Sequence, residues 1–194
     1  MNHPVRILTI GHSTRPIDVF LDLLGAHRVE RLADVRTVPR SRRYPHFSRE
    51  PLAASLASHG IEYGHVAELG GLRRPRPDSI HRGWRNEGFR GYADHMESAE
   101  FEAALERLIA AASERRLVVM CAEAVPWSCH RSLLSDALVV RGVKVEHVLG
   151  LEAPRSHQLT PWAEVTDRRL VYSDRKRVGG QAALDLSGIL GSAE

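Results

Sequence analysis

Apolar residues along this chain follow two alternating rhythms. Short continuous runs, Arg6-Ile-Leu-Thr-Ile10 and Leu117-Val-Val-Met-Cys121, read as strands buried on both faces. Between such runs the spacing turns helical. Ile17, Phe20, Leu21 and Leu24 form one stripe, opened by Pro16 with Ser13 or Thr14 as cap. Phe101, Leu105, Leu108 and Ala112 form another, and Leu133, Leu134, Ala137 and Leu138 a third, closed by Arg141-Gly142. Arg31-Leu-Ala-Asp-Val-Arg36, Ile61–Val66 and Val143–Val148 supply further strands, and Ser48 is expected to cap a short helix carrying Leu52 and Leu56. Ala67–Tyr92 is rich in Gly, Pro and Arg and reads as one long irregular loop.

Strands alternating with helices predict an α/β fold: a three-layer, Rossmann-like open sheet of mostly parallel strands with helices on both faces. Residues 1–150 form this domain, and 151–194 read as an extension that packs on it or trails from it. Right-handed crossovers place the loop after each strand at one sheet edge, where ligands of open α/β sheets bind. That rule gathers scattered residues into one candidate site. The first loop brings His12 and Ser13, and the second brings Asp34, Arg36, Arg40, Arg42 and Arg43. The fourth brings Cys121, Glu123, Cys129, His130 and Arg131.

Charge sharpens this picture. The 194 residues carry a formal +3, unevenly spread: Arg36 to Arg90 is net +6 and Gly91 to Val140 net −4. A basic middle suits an anionic partner. Lysine occurs only at 144 and 176, so arginine standing in for lysine throughout accounts for the pattern equally well. No run approaches the roughly 20 apolar residues of a membrane helix, and the start has no signal-peptide pattern. A cytoplasmic protein with no membrane partner is expected. Two cysteines are too few for a disulfide scaffold and read as thiols.

Cys129-His-Arg131 is the most chemically suggestive motif. With Ser128 as cap, all three residues would sit in a helix's first turn, where amides, His and Arg lower a thiol pKa and cradle an anion. The opposing reading has Cys129 packed inward and Arg131 capping Glu123 or Asp34. Cys121 and Cys129 with His12, His46, His65 or His130 could instead hold a metal, although their spacing fits no common zinc knuckle. Asp34 and Arg36 share a strand face and can pair. Arginines mixed with Tyr44, His46, Phe47, Trp84, Phe89 and Tyr92 suit phosphate contact plus base stacking. The P-loop, Gly-x-Gly-x-x-Gly, His-Glu-x-x-His and Gly-x-Ser-x-Gly patterns do not occur.

Thr9-Ile-Gly-His-Ser13, Asp34-Val-Arg36 with Pro39-Arg-Ser-Arg42, Glu68-Leu-Gly-Gly71 and Cys121-Ala-Glu123 followed by Cys129-His-Arg131 together resemble the DUF488 family over roughly residues 6 to 150. The resemblance implies an α/β fold and a shared site that adds Glu68 to the residues above. It implies no reaction and no cofactor. The leading expectation is an enzyme or binding domain for a nucleotide, nucleic acid or other phosphate-bearing anion. There Arg36, Arg42 and Arg131 hold the anion, His12 or His130 moves a proton, and Cys129 or Cys121 is the nucleophile or redox group. A non-catalytic nucleic-acid-binding module and a metal-binding protein are the alternatives.

Overall fold

The computed structural model describes residues 4–174. Five parallel strands form the sheet: β1 (Arg6–Gly11), β2 (Arg31–Asp34), β3 (Glu62–His65), β4 (Leu117–Cys121) and β5 (Lys144–Val148). Their order is β3-β2-β4-β1-β5, and the short β6 (Arg155–Ser156) closes the far edge antiparallel to β5. Five helices cover it: α1 (Ile17–Ala26), α2 (Arg49–Ala57), α3 (Glu87–His95), α4 (Ala99–Glu114) and α5 (Arg131–Val139).

Strand residues alternate between two cores, as a period of two requires. Leu8, Ile10, Val118 and Met120 face α1 and α2, where Phe20, Leu24, Leu52 and Leu56 are buried against them. Ile7, Val119 and Cys121 face α4 and α5, meeting Phe101, Leu105, Leu133 and Leu138. Each such side chain contributes roughly 1.5–3 kcal/mol by leaving water. The expected three-layer α/β architecture is therefore present. The connection from β1 to β2 passes over β4 on one face, and that from β4 to β5 passes over β1 on the other. The adjacent ends of β1 and β4 are thus a switch point, where a crevice opens.

Local expectations fared unevenly. Neither Ser13 nor Thr14 caps α1; Pro16 stands at the cap and no side chain bonds there. Ser48 does precede α2 but leaves its amides alone. Its hydroxyl instead meets the Ser41 backbone, accepting from Ser41 N at 3.2 Å and helping to pin the 39–48 arginine loop. The 67–92 stretch is not one irregular loop, because α3 begins inside it with Asn86 accepting from Phe89 N as a true cap. Gly88 and Gly91 hide this helix from propensity. Ser128 does not cap α5 either. It ends a short 3₁₀ turn, Cys129 is extended, and the helix starts at Arg131 with His130 before it.

After β5 the chain stays on the domain. A hairpin, β7 (Ala163–Thr166) and β8 (Arg169–Tyr172), turns through Asp167 and Arg168, both with positive φ. Ala163, Leu170 and Tyr172 join the core under α4 and α5. Trp84 packs edge-on against Phe89 and Trp162, tying the 67–92 stretch to this hairpin. The rest of the proposed extension, from 175 onward, lies outside the described residues. Among the described residues, no helix is long and apolar enough to cross a membrane.

Candidate active site

β1, β2 and β4 end side by side. Gly11 stands in register with Cys121, and Asp34 with Met120. Past these ends the backbones keep pairing: His12 N donates to Cys121 O at 3.0 Å and Ser13 N to Ala122 O at 2.8 Å. Gly11 has to be glycine, since a Cβ there would collide with the Glu123 carbonyl and crowd the Arg131 guanidinium. A cleft of about 360 Å³ opens over this edge. His12, Arg36, Arg40, Cys121, Glu123, Cys129 and His130 line it, with Thr37, Ser41, Leu72, Asn86 and Phe89 around them.

Two thiols lie at its base. The sulfurs of Cys121 and Cys129 are 2.8 Å apart, and both residues are buried. Burial pushes the Cys121 thiol well up, so it keeps its proton. Cys129 goes the other way, to about 3: the Cys121 S–H donates to it, and His130 and Arg131 add positive character against the cost of burial. His130 Nε2 donates to the Val35 carbonyl at 3.2 Å, which leaves Nδ1 facing Cys129 Sγ at 3.5 Å. Gly71 packs directly on this ring, and any Cβ there would strike it.

Arg131 is 1% exposed. Its Nε donates to Cys121 Sγ at 2.9 Å, one terminal nitrogen to Thr9 Oγ1 at 3.3 Å, and the other to the Glu123 and Ala124 carbonyls at 2.6 and 3.4 Å. Among the described residues, no carboxylate forms an ion pair with it. A buried cation needs a countercharge, and the charge of Arg131 is one of the causes that lower Cys129. Arg131 is therefore not the anion clamp expected from sequence: it does not line the cleft, and most of its donors are bound within the protein. Nor does it cap the Glu123 carboxylate; it takes that residue's carbonyl.

Arg36 fills the expected clamp position better. Its Nε and Nη2 grip Asp34 at 2.8 and 2.6 Å, as a shared strand face predicted, and Nη1 faces His12 Nε2 at 3.4 Å. Asp34 also accepts from the Tyr63 hydroxyl at 2.8 Å, and it is fully buried. Tyr63 is pushed up by burial and by this carboxylate. Asp34 acts on Arg36 and does not reach the cleft. His12 donates from Nδ1 to the Ser13 carbonyl at 2.9 Å and stacks on Phe47. Burial above all, and Arg36 nearby, lower it to about 4, so it stays neutral with a lone pair on Nε2.

Other expected members lie elsewhere. Glu68 bonds Arg107 at 2.9 Å, away from the cleft, and its carbonyl serves His95. Ser13 orients His12 through its carbonyl from a φ of 52° and does not line the cleft. Arg40 lines the rim, whereas Arg42 and Arg43 do not; Arg43 lies over Tyr44. Glu123 borders the cleft with an exposed side chain. Trp84 and Tyr92 are consumed by packing, Tyr92 against His130 and Phe101, while half-buried Phe89 borders the cleft. A continuous stacking platform is thus not formed from them. Among the described residues, no three His, Cys, Asp or Glu side chains converge as a metal-binding cluster.

Sequence reasoning missed what stands behind Arg131. Thr9 pairs in register with His147, whose Nδ1 meets Thr9 Oγ1 at 2.7 Å. His147 Nε2 meets His157 Nδ1 at 3.0 Å, and His157 Nε2 donates to Asp136 at 2.8 Å. The Asp136 carboxylate also accepts from Thr160 N and the Tyr172 hydroxyl. Burial, His157 and Arg131 together lower His147 to about 3, so it is neutral in this chain. The available signal was polar residues on apolar faces: Thr9 in β1, His147 in β5 and Asp136 in α5.

Fold and site together define an open α/β domain with a buried thiol pair at the carboxyl edge of its sheet. Residues 16–138 match the family described as domain of unknown function DUF488, and the chain belongs to that family. No curated protein and no solved structure matches the chain.

Proposed function

We propose that this domain is a cysteine-dependent enzyme acting on a phosphate-bearing anion, with Cys129 as the nucleophile. The observation that carries this reading is the buried Arg131, whose Nε rests on a sulfur of the Cys121–Cys129 pair and which has no carboxylate partner among the described residues. That arrangement stabilises a thiolate at the base of an open cleft. Arg36 through Nη1, and Arg40 at the rim, hold the anion. Arg40 has no side-chain partner among the described residues. The Cys129 sulfur attacks phosphorus while the bond to the leaving oxygen breaks. That oxygen takes the proton that Cys129 gave to His130, and water later cleaves the thiophosphate. Neutral His12 accepts a hydrogen bond from the substrate or from that water.

A nucleotide or a nucleic-acid end fits as the carrier of that phosphate. The exposed Arg42 and Arg43 beside the cleft favour a substrate that continues beyond it. The inward packing of Trp84 and Tyr92 weighs against a purely stacking, non-catalytic module. A reducing, cytoplasmic setting suits two free thiols.

Alkylation of the full-length protein tests this reading. Iodoacetamide should modify Cys129 at a rate nearly constant from pH 5 to pH 8, and inorganic phosphate should slow it. An ordinary thiol would gain roughly tenfold per pH unit over that range. A tenfold-per-unit profile would remove the thiolate. A flat profile with no effect of phosphate would remove the anion site.

A further inference from the structure

We propose that Cys129 is also an oxidation site for hydroperoxides and that Cys121 resolves the product into an intramolecular disulfide. The inference rests on the reactive Cys129 of the reading above but requires no turnover of an anionic substrate. Its basis is geometric. The two sulfurs stand 2.8 Å apart across the gap between the end of β4 and the start of α5. Both are free thiols, and they are the two cysteines of the chain. A phosphoryl-transfer nucleophile has no need of a second thiol in contact with it, whereas redox-sensor cysteines are often poised beside a resolving one.

The surroundings divide the roles. Cys129 borders the cleft beside His130, so a small peroxide reaches it first. Cys121 also borders the cleft, but its sulfur is engaged by Arg131 Nε at 2.9 Å and it sits at the end of a central strand. Cys129 lies outside the helix, in extended backbone between a 3₁₀ turn and α5. That segment can move by the fraction of an ångström per sulfur that closing a bond of about 2.05 Å requires.

The chemistry balances with a hydroperoxide as oxidant. The Cys129 thiolate attacks the terminal oxygen, and the O–O bond breaks. The leaving alkoxide or hydroxide takes a proton, for which the His130 imidazolium is in place. Cys129 is now a sulfenic acid. The Cys121 sulfur then attacks Cys129 Sγ, the S–O bond breaks, and the departing hydroxide leaves as water with the Cys121 proton. Arg131 assists by stabilising the Cys121 thiolate as it forms. An external dithiol restores both thiols by exchange and is itself oxidised to a disulfide.

Intact-mass spectrometry on the full chain decides the matter. The protein is reduced, freed of reductant and treated with stoichiometric hydrogen peroxide in the presence of dimedone. The wild type should lose two hydrogens, regain them with dithiothreitol and yield a peptide linking Cys121 to Cys129. Cys121→Ser should instead accumulate a dimedone adduct on Cys129, and Cys129→Ser should give neither product. A wild type that accumulates the dimedone adduct, sulfinic acid or an intermolecular dimer overturns the proposal. The wild-type measurement stands alone should either variant fail to fold. Fast alkylation of Cys129 without disulfide formation defeats this inference alone. Slow alkylation with no disulfide defeats both it and the nucleophile assignment.

Discussion

Arg131 and Asp136 sit on the same helix, yet they are joined through three side chains from elsewhere in the fold. Arg131 donates to Thr9, the Thr9 hydroxyl bonds His147 Nδ1, His147 Nε2 bonds His157 Nδ1, and His157 Nε2 donates to the Asp136 carboxylate. Each link is a hydrogen bond between buried or half-buried groups, so the polar atoms along this path are satisfied. A buried cation under the thiol pair and a buried anion behind it thus share one hydrogen-bonded chain. Each alone would be costly in this interior.

Asp136→Asn tests the chain at its anchor. The amide keeps the shape but removes the charge that orders His157, the Thr160 amide and the Tyr172 hydroxyl. We expect a loss of about 3 kcal/mol in urea-denaturation stability, the scale for taking one partner out of a buried charged network. A change below about 0.5 kcal/mol, within what surface substitutions give, would show that the chain is incidental.

Gly71→Ala tests the other flank. A methyl group at Gly71 would meet the His130 ring and push it from Cys129. The iodoacetamide rate at pH 6 should drop on the order of tenfold to a hundredfold, the effect of moving a reacting group by about an ångström. Stability should change much less, because His130 is only partly buried. An unchanged rate would remove His130 from the thiol's activation.

Much of this was legible from pattern. The five parallel strands follow from their apolar runs, and the carboxyl-edge rule brought His12, Arg36, Cys121, Cys129 and His130 to one cleft. Arg131 came to the same place with a different task, since sequence cannot tell a donor aimed at solvent from one already bound. The basic middle proved partly structural for a similar reason. Arg73 serves the Ala67, Glu68 and Gly70 carbonyls, Arg76 meets Asp94 and Glu97, and Arg90 meets Glu87. Glu68 was misassigned because a motif gives proximity in sequence, while the side chain turned towards Arg107 on α4. The Thr9–His147–His157–Asp136 chain depends on strand register and on a return of the chain beyond β5, neither of which local periodicity encodes.

Stability should fall on acidification well before ordinary carboxylates titrate. His12 and His147 are held at about 4 and about 3, below the unfolded value of roughly 6.5. Between these limits the unfolded chain binds more protons than the folded one, so stability rises with pH. The histidine contribution is complete above about pH 6.5 and is lost as pH falls towards 4 and 3. Melting temperatures at pH 4, 5, 6 and 7 should therefore increase throughout that series. A maximum at pH 5 would contradict the assigned protonation states.

The Asp34–Arg36 pair separates folding from ligand binding. Arg36→Met leaves Asp34 buried with only the Tyr63 hydroxyl and the Arg36 backbone amide as donors. Breaking one side of such a pair costs about 3–5 kcal/mol, whereas replacing both sides by neutral groups is often nearly neutral. Arg36→Met should accordingly be strongly destabilised, and the double variant Asp34→Asn, Arg36→Met should recover much of that loss. Both should lose the slowing of Cys129 alkylation by inorganic phosphate, because the cation that faces the cleft beside His12 is gone. If the double variant is stable and phosphate still protects Cys129, the anion is held elsewhere, with Arg40 the next cation to remove. If the double variant is stable and protection is lost, Arg36 carries the binding, and Asp34 serves to aim it.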